Sequence, residues 1–584
     1  MSDLEKKISL DNAISENLSS DDFQSEKAPQ SKWKQFFSDF KRPNEHDFDS
    51  TGMTHEQIAF TLIQRSKPQL KKRHLRAVAA AGGIGTGLFI GTGSSLKNGG
   101  PAALTIGFGI VGICIVCTMC AMGELGVRYP VPGSFTTYAS RFLDPSWGFT
   151  LSWLYAFNWM VVIPLEIVAA SMTIYYWHTD NNSAAHVNVV AWVPLFYVAL
   201  LALNLFGAKG YGEAEFVFST IKVCAMIGFI IFSIVITAGG GPVPYRGAKY
   251  FDDPGAFANG FKGVVTVLVS CAFAFGGTEI SGIAATETKS PAHAIPSAVK
   301  QILWRTITFF IVGTLMLGFM LPYNGDPRLG TDDGSGQSVS PFVLALEHSM
   351  VNAVPSIFNS VIIISVFSVA NAAIFASSRT FVAIGLAGYG PRWLTRWLTY
   401  IDRRGRPLGA LTICFVFGLL CFVAASDAHV EVFNWLYAFS ALSFLYAWGT
   451  VCLVHIRVRM AMRRQGISTS ELQYKASTGI IGSFIGLGIC IAIFGLQWWT
   501  SLFPLNGKPD ARIFFQADLS VPCVIVMYVG HKLYTKSPLY IKLEDMDITS
   551  GVREITEETI RENEIENEAR RNANFFKKII NFMC

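Results

Sequence analysis

The chain has 584 residues, 51% of them hydrophobic and only 15% charged, against about 25% charged in soluble domains. Its formal net charge of +5 is small for this length and points away from a nucleic-acid partner. There is no Walker-type loop, zinc-ligand spacing or nucleophile elbow, so no cofactor, metal or enzymatic activity is expected.

The chain opens on a polar tail, residues 1–74, without a cleavable signal peptide. Within it Met1–Ser50 is acidic, Ser-rich and weakly hydrophobic, and is expected to be disordered. Twelve apolar segments follow, in residues 75–533. They run approximately Leu75–Leu96, Ala102–Met122, Trp147–Tyr175, Val187–Phe206, Ala214–Ala238 and Gly260–Ala285 in the first half. In the second half they run Ile302–Leu321, Val351–Ser377, Leu408–Ala425, Val430–Ile456, Thr478–Trp499 and Ile513–Leu533. Each holds about the 20 residues that cross a hydrocarbon core near 30 Å thick. The expected class is an all-α polytopic membrane protein. Most of the eleven Cys lie inside these segments as small buried hydrophobes, for example Cys114, Cys117, Cys120 and Cys490.

Lys and Arg orient the spans. Lys71, Lys72, Arg73 and Arg76 precede the first, and the loops after even-numbered spans are basic, as at Arg403, Arg404 and Arg406. The loops after odd-numbered spans hold few basic residues, with Arg246 and Lys249 a partial exception. The positive-inside rule then places both termini in the cytoplasm. The C-terminal tail, residues 534–584, includes the charged stretch Glu554–Asn581, which fits either an amphipathic membrane-surface helix or a solvated tail. The sequon Asn181-Asn182-Ser183 lies in an outer loop close to the membrane.

Two spans are interrupted by glycine. The first reads Ala-Gly-Gly-Ile-Gly-Thr-Gly-Leu-Phe over Ala81–Phe89, the second Phe-Ala-Phe-Gly-Gly-Thr-Glu-Ile-Ser-Gly over Phe273–Gly282. Irregular backbone at membrane depth survives only where protein buries it or where it lines a cavity, and paired interruptions point to a transporter's binding site. Unwinding over Gly83, Gly85, Thr86 and Gly87 would aim free N–H groups and one hydroxyl at a carboxylate. Unwinding over Phe275, Gly276 and Thr278 would free carbonyl oxygens for an ammonium group. Together the breaks suit the constant part of an α-amino acid. The competing reading is that these glycines only let helices pack closely.

Four ionisable residues fall in or beside the spans: Glu124, Glu166, Lys222 and Glu279. Such residues are costly in a bilayer and commonly functional. Burial penalises the charged form of either kind, so Glu166 and Lys222, with apolar neighbours on both sides, are candidate proton-coupling groups. Glu124 also fits an interfacial residue reaching to water. Glu279 either contributes to the substrate site or locks the broken helix by accepting hydrogen bonds from freed amides.

At these residues the chain resembles the fungal amino-acid permeases of the amino acid–polyamine–organocation superfamily. The likeness is carried by Gly83–Gly91, Asn204–Phe216, Asp402–Pro407, Glu431–Leu436, Met527–Lys532 and Glu544–Ile548. It runs from about Leu75 to Cys584, and the general amino-acid permease branch matches most nearly. The resemblance implies a five-plus-five inverted repeat with two added helices, and uptake of L-amino acids of broad range by proton symport across the plasma membrane. It implies that Gly83, Thr86 and Gly87 hold the substrate backbone, and that Phe273, Phe275 and Gly276 supply an aromatic gate and carbonyl contacts. Lys222 would occupy the place of a bound cation in sodium-coupled relatives. Two departures affect the pocket, Gly82-Gly83 in the first break and Gly277 after Gly276 in the second. The ending Asn-Phe-Met-Cys departs from the family's Phe-Trp-Cys, with Cys584 as the palmitoylation candidate. The tail lysines Lys6, Lys7, Lys27, Lys32 and Lys34 would be ubiquitin acceptors, making a ubiquitin ligase a partner beside amino acids, protons and the bilayer. Two alternatives stand beside this expectation: a nutrient sensor of the same fold, and a permease of narrow range.

Overall fold

The computed structural model describes residues 72–131, 133–179, 191–285, 291–330, 339–425, 429–505 and 507–552. The tail lysines, Asn181, the stretch Glu554–Asn581 and Cys584 lie outside the described residues. By backbone contacts, the described residues other than Asp402–Arg404 form one unit. In the turn Asp402–Arg404 the Arg404 amide donates to Asp402 Oδ1 at 3.0 Å.

Among the described residues the secondary structure is helical apart from one isolated bridge, Ile401 to Pro407. The first span is α1 (Lys72–Ala81), α2 (Thr86–Phe89) and α3 (Gly91–Gly99). It is bent by 58° between the second and third pieces. Gly100, at φ +84°, turns the chain into α4 (Pro101–Arg128), where Pro101 takes the first-turn place that needs no N–H donor. A short α5 (Phe135–Phe142) leads to α6 (Pro145–Thr173). Asp144 caps α6 by accepting from the Ser146 amide at 3.1 Å.

Next come α7 (Trp192–Asn204), α8 (Gly207–Thr237), α9 (Gly260–Phe275) and α10 (Ile280–Ala285). They are followed by α11 (Pro291–Arg305), a π-helical stretch Thr306–Val312, α12 (Gly313–Met320) and α13 (Pro341–Glu347). The rest is α14 (Val354–Leu386), α15 (Arg392–Leu398), α16 (Leu408–Gly418), α17 (His429–Arg464), α18 (Gly479–Leu502), α19 (Ala511–Asp518) and α20 (Ser520–Thr535).

Eight described helices are long and apolar enough to cross a bilayer, and ten if each bent pair is one span. The expected segments Val187–Phe206 and Leu408–Ala425 correspond to shorter apolar helices, so length and apolarity alone do not reach the expected twelve. The last expected span, Ile513–Leu533, is not one rod. It bends by 62° between α19 and α20. Asp518 is buried there and accepts from Ser501 Oγ at 2.5 Å, and Pro522 in the next turn cannot supply a helical N–H.

Burial separates scaffold from perimeter. The apolar window of α6 is 94% buried, that of α18 only 28%, so α6 lies inside the bundle and α18 shows most of its surface to lipid. Helix α6 packs along α14, and also against α17 and α5. Several helices outrun their expected spans: α4 ends at Arg128, α8 begins at Gly207, α14 ends at Leu386 and α17 at Arg464. The extension of α17 carries Arg457, Arg459, Arg463 and Arg464, which suits a helix end in water.

After α20 the chain straps across the ends of α4, α5 and α17. Tyr129 Oη donates to Ile548 O at 2.7 Å, and Arg141 donates to Asp547 O and Ser550 O. Gln465 Nε2 reaches Leu543 O at 3.0 Å and Met546 O at 2.8 Å. Met546 and Ile548 are buried. Backbone amides of the Thr549–Ser550 turn, with Arg141 beside them, hold the Asp547 carboxyl down to about 2. A carboxyl depressed in the folded state stabilises above its ordinary range and loses that contribution only in strong acid, so the strap stays docked at neutral pH. Replacing Gln465 by Ala removes its bonds to the strap, each worth about 0.5–1.5 kcal/mol net. Limited proteolysis is expected to cut Q465A faster than wild type after Lys542.

Candidate functional site

Helix α1 ends at Ala81, and Gly82 and Ile84 still bond back to Val78 O and Ala81 O. The next helical bonds begin only with Phe89 and Ile90, which donate to Gly85 O and Thr86 O. The backbone between is irregular, and α2 starts with its first-turn amides unshared within the helix. Helix α9 stops at Phe275, and Gly277 sits at φ +89°, a conformation that favours glycine. The two breaks touch: a Cβ on Gly83 would lie 2.6 Å from Gly276 O. A side chain at Gly83 would therefore force the breaks apart.

A small, partly open cavity lies beside this contact. Gly83, Gly85, Thr86 and Gly87 line it from the first break, and Phe273 and Gly276 from the second. Trp159, Val162 and Glu166 line it from α6, and Val369 and Phe444 from α14 and α17. Phe273 also packs on Tyr437, with ring centroids 4.3 Å apart.

Glu166 is fully buried, and its Oε2 accepts from Thr86 Oγ1 at 2.6 Å. The Thr86 hydroxyl expected to face a substrate carboxylate is thus engaged by a protein carboxyl. Among the described residues no cation lies within ion-pairing distance of Glu166. Lys222 does not line the cavity. Its Nζ donates to Ala81 O at 3.2 Å and Ser368 Oγ at 2.9 Å, with Glu215 Oε1 at 3.9 Å. Ser368 Oγ in turn lies 2.8 Å from both Glu215 oxygens. A cation at the last carbonyl of α1 is favoured by the helix dipole.

Phe275 and Glu279 stand outside the cavity lining. Phe275 stacks on Phe310, centroids 4.2 Å apart. Its carbonyl accepts from both the amide and the hydroxyl of Thr278, so that oxygen is engaged inside the break. Glu279 accepts from Tyr155 Oη at 3.0 Å, Trp448 Nε1 at 3.1 Å and the Gly277 amide at 3.3 Å. This arrangement fastens the second break to α6 and α17. Glu124 lies elsewhere, buried rather than reaching to water. It pairs with Arg459 at 2.6 Å and His455 at 3.1 Å and accepts from the Ala476 amide.

Sequence reasoning missed Trp159, Val162, Val369 and Phe444 as lining residues, and Glu215 as the partner of Lys222. Trp159 and Val162 precede Glu166 by seven and four residues and share its helical face. Glu215 precedes Lys222 by seven residues and is likewise on its face. Val369 and Phe444 come from helices whose apolar residues gave no signal.

Two membrane helices broken at facing glycines around a small cavity are the arrangement of a membrane transporter's binding site. The amino acid permease family model matches residues 74–543. General amino-acid permease GAP2 of Candida albicans is 43% identical over 570 residues, covering 96% of this chain and 95% of that protein. General amino-acid permease GAP1 of Saccharomyces cerevisiae is 44% identical over 547 residues, covering 92% and 89%. The chain belongs to the amino acid permease family. Among solved structures, that of MhsT in complex with L-phenylalanine aligns with a TM-score of 0.52 at 14% identity, covering 73% of this chain and 98% of that one. That likeness shows the fold alone, the broken-helix arrangement expected from the sequence.

Replacing Gly83 by Ala puts a methyl group against Gly276 O. Overpacking of this kind costs about 1–3 kcal/mol, roughly a 5- to 150-fold effect on an equilibrium. G83A is expected to reduce amino-acid uptake by at least fivefold at equal surface abundance, measured with radiolabelled substrate.

Proposed function

We propose that this protein imports L-amino acids of broad range across the plasma membrane, driven by proton symport, with both termini cytoplasmic. The observation that carries the reading is the hydrogen bond from Thr86 to Glu166 at the first break. A hydroxyl has one hydrogen to give and two lone pairs. With Glu166 ionised, Thr86 gives that hydrogen to the carboxylate. With Glu166 protonated, the carboxyl O–H donates to Thr86 Oγ1, and the Thr86 hydrogen turns to the carboxylate of an amino acid in the cavity. Proton and substrate then favour each other's binding, which is the thermodynamic content of symport.

Lys222 has a different role. Bound to Ala81 O and to Glu215 through Ser368, it holds the end of α1 as a fixed cation, so transport needs no sodium. Glu166, with no cation in ion-pairing distance among the described residues, carries the proton. Broad range is supported by the apolar lining that Trp159, Val162, Val369 and Phe444 give the cavity beside Glu166. The names of the relatives, general amino-acid permeases, point the same way. The orientation is supported by Arg128, Arg141 and Arg457, which gather at one end of the bundle around the strap after α20.

Wild-type uptake is expected to fall as external pH rises and to collapse with a protonophore, with no change on removing sodium. In Glu166→Gln the carbonyl and amide keep a polar partner for Thr86 but cannot titrate. E166Q is expected to retain exchange of internal for external amino acid while losing the pH dependence and the protonophore sensitivity. A wild-type pH profile in E166Q would overturn the assignment. Thr86→Val is expected to weaken substrate binding by about 1 kcal/mol, more where the lost bond is to an ionised carboxylate, read as a rise in KM.

A further inference from the structure

Arg305, the last residue of α11, is a buried guanidinium that the transport reading above leaves unused. It is 0% exposed. Its Nη2 donates to Thr278 Oγ1 in the second break, and its Cζ lies 5.6 Å over the Phe310 ring. Nε and Nη1 are buried without a hydrogen-bond partner, and among the described residues no carboxylate pairs with it. A guanidinium has five donors in a planar fork and keeps its charge. Leaving such a group buried and half-satisfied is costly, and a costly feature at a broken helix calls for a function.

Position supplies the rest. A Cβ on Gly83 would meet Gly276 O first and Arg305 Nη1 next, at 3.6 Å. Arg305 therefore lies directly behind the contact between the two breaks that walls one end of the cavity. Helix α11 packs against α1, so this is the side from which α1 enters the membrane. The π-helical stretch Thr306–Val312 begins at the next residue, and such stretches are frequent at functional sites. Glu279, the nearest acid in the break, is already held by Tyr155, Trp448 and the Gly277 amide.

We propose that Arg305 is a second carboxylate subsite, which receives the substrate's α-carboxylate when the Gly83–Gly276 contact parts and the amino acid moves toward the cytoplasm. This rests on the transport reading and its orientation. Nε and Nη1 lie on different edges of the fork, so a carboxylate would be held by one of them together with the second N–H of Nη2. The subsite would lower the barrier to leaving the cavity by offering the carboxylate a partner as it quits the first-break amides.

The test uses the full-length protein in right-side-out and inside-out membrane vesicles, with radiolabelled L-leucine as probe. The quantity read is the ratio of the half-saturating concentration at the cytoplasmic face to that at the outer face. In Arg305→Gln the ratio is expected to rise at least fivefold above wild type. Arg305→Lys keeps the charge but loses the planar fork, and serves where R305Q does not reach the membrane. Its ratio should rise more than twofold, and less than that of R305Q. A wild-type ratio in either variant, or an R305K ratio equal to that of R305Q, overturns the proposal. Replacing chloride by methanesulfonate, which carries no carboxylate, should leave the wild-type ratio unchanged. A chloride-dependent ratio that R305Q abolishes would assign the subsite to an inorganic anion and overturn the carboxylate assignment. Absence of wild-type uptake overturns the transport reading and the proposal with it, whereas loss of the asymmetry alone overturns only the proposal.

Discussion

The structure depends on one backbone contact, between Gly83 in the first break and the carbonyl of Gly276 in the second. Unwound backbone has no water to satisfy it at membrane depth, so it must be covered by protein. Here each break covers part of the other, with Trp159 and Phe444 covering the second break besides. Glycine is required because the approach leaves no room for a Cβ, and at Gly277 because φ is positive. The cavity, the unshared first-turn amides of α2 and the placement of Glu166 all follow from that contact. A helix that ran straight through either segment would abolish them together.

Buried polar groups then tie the breaks to the scaffold. Helix α6 reaches both, Glu166 to Thr86 in the first and Tyr155 to Glu279 in the second. Helix α17 reaches the second through Trp448, and α8 holds the end of α1 through Lys222. The burial of α6 is a consequence, since a helix bonding to both interruptions cannot also face lipid. Such networks add specificity more surely than stability. They select one register of the breaks from the many that a run of glycines permits.

Much of this was legible in the sequence. The breaks at Gly83–Gly87 and Gly276–Gly277, the long apolar helices and the isolated ionisable residues Glu166, Lys222 and Glu279 all stand out, because each violates a local rule for membrane segments. What those residues touch was not legible. Glu279 was read as either a substrate contact or a lock on the broken helix, and its three hydrogen bonds come from α6, α17 and its own break. Thr86 was read as facing a carboxylate, and it faces Glu166. Phe275 was read with the gate, and it stacks into the wall on Phe310. Partners from distant helices depend on rotation of whole rods, which one chain's periodicity does not fix. Val369 and Phe444 were missed for the same reason, since nothing marks them among apolar neighbours. The bend at Leu519 was missed because neither Asp518 nor Pro522 was weighed within the span Ile513–Leu533.

The absence of a direct ion pair between Lys222 and Glu166 is central to the proposed coupling. Had Lys222 paired directly with Glu166, protonating the carboxyl would break a buried ion pair and strand the ammonium, a change worth several kcal/mol. Lys222 instead has Glu215 and Ser368 on one side and the last carbonyl of α1 on the other. Its charge is compensated whether or not Glu166 holds a proton. Glu166 is left with a hydroxyl, a partner that can donate or accept at little cost in rearrangement. A neutral relay between the protonated group and the substrate site lets the proton alter which way one hydrogen bond points without moving a helix. On this argument the fixed cation and the mobile proton are separate devices, and the first exists so that the second can be cheap to load and unload.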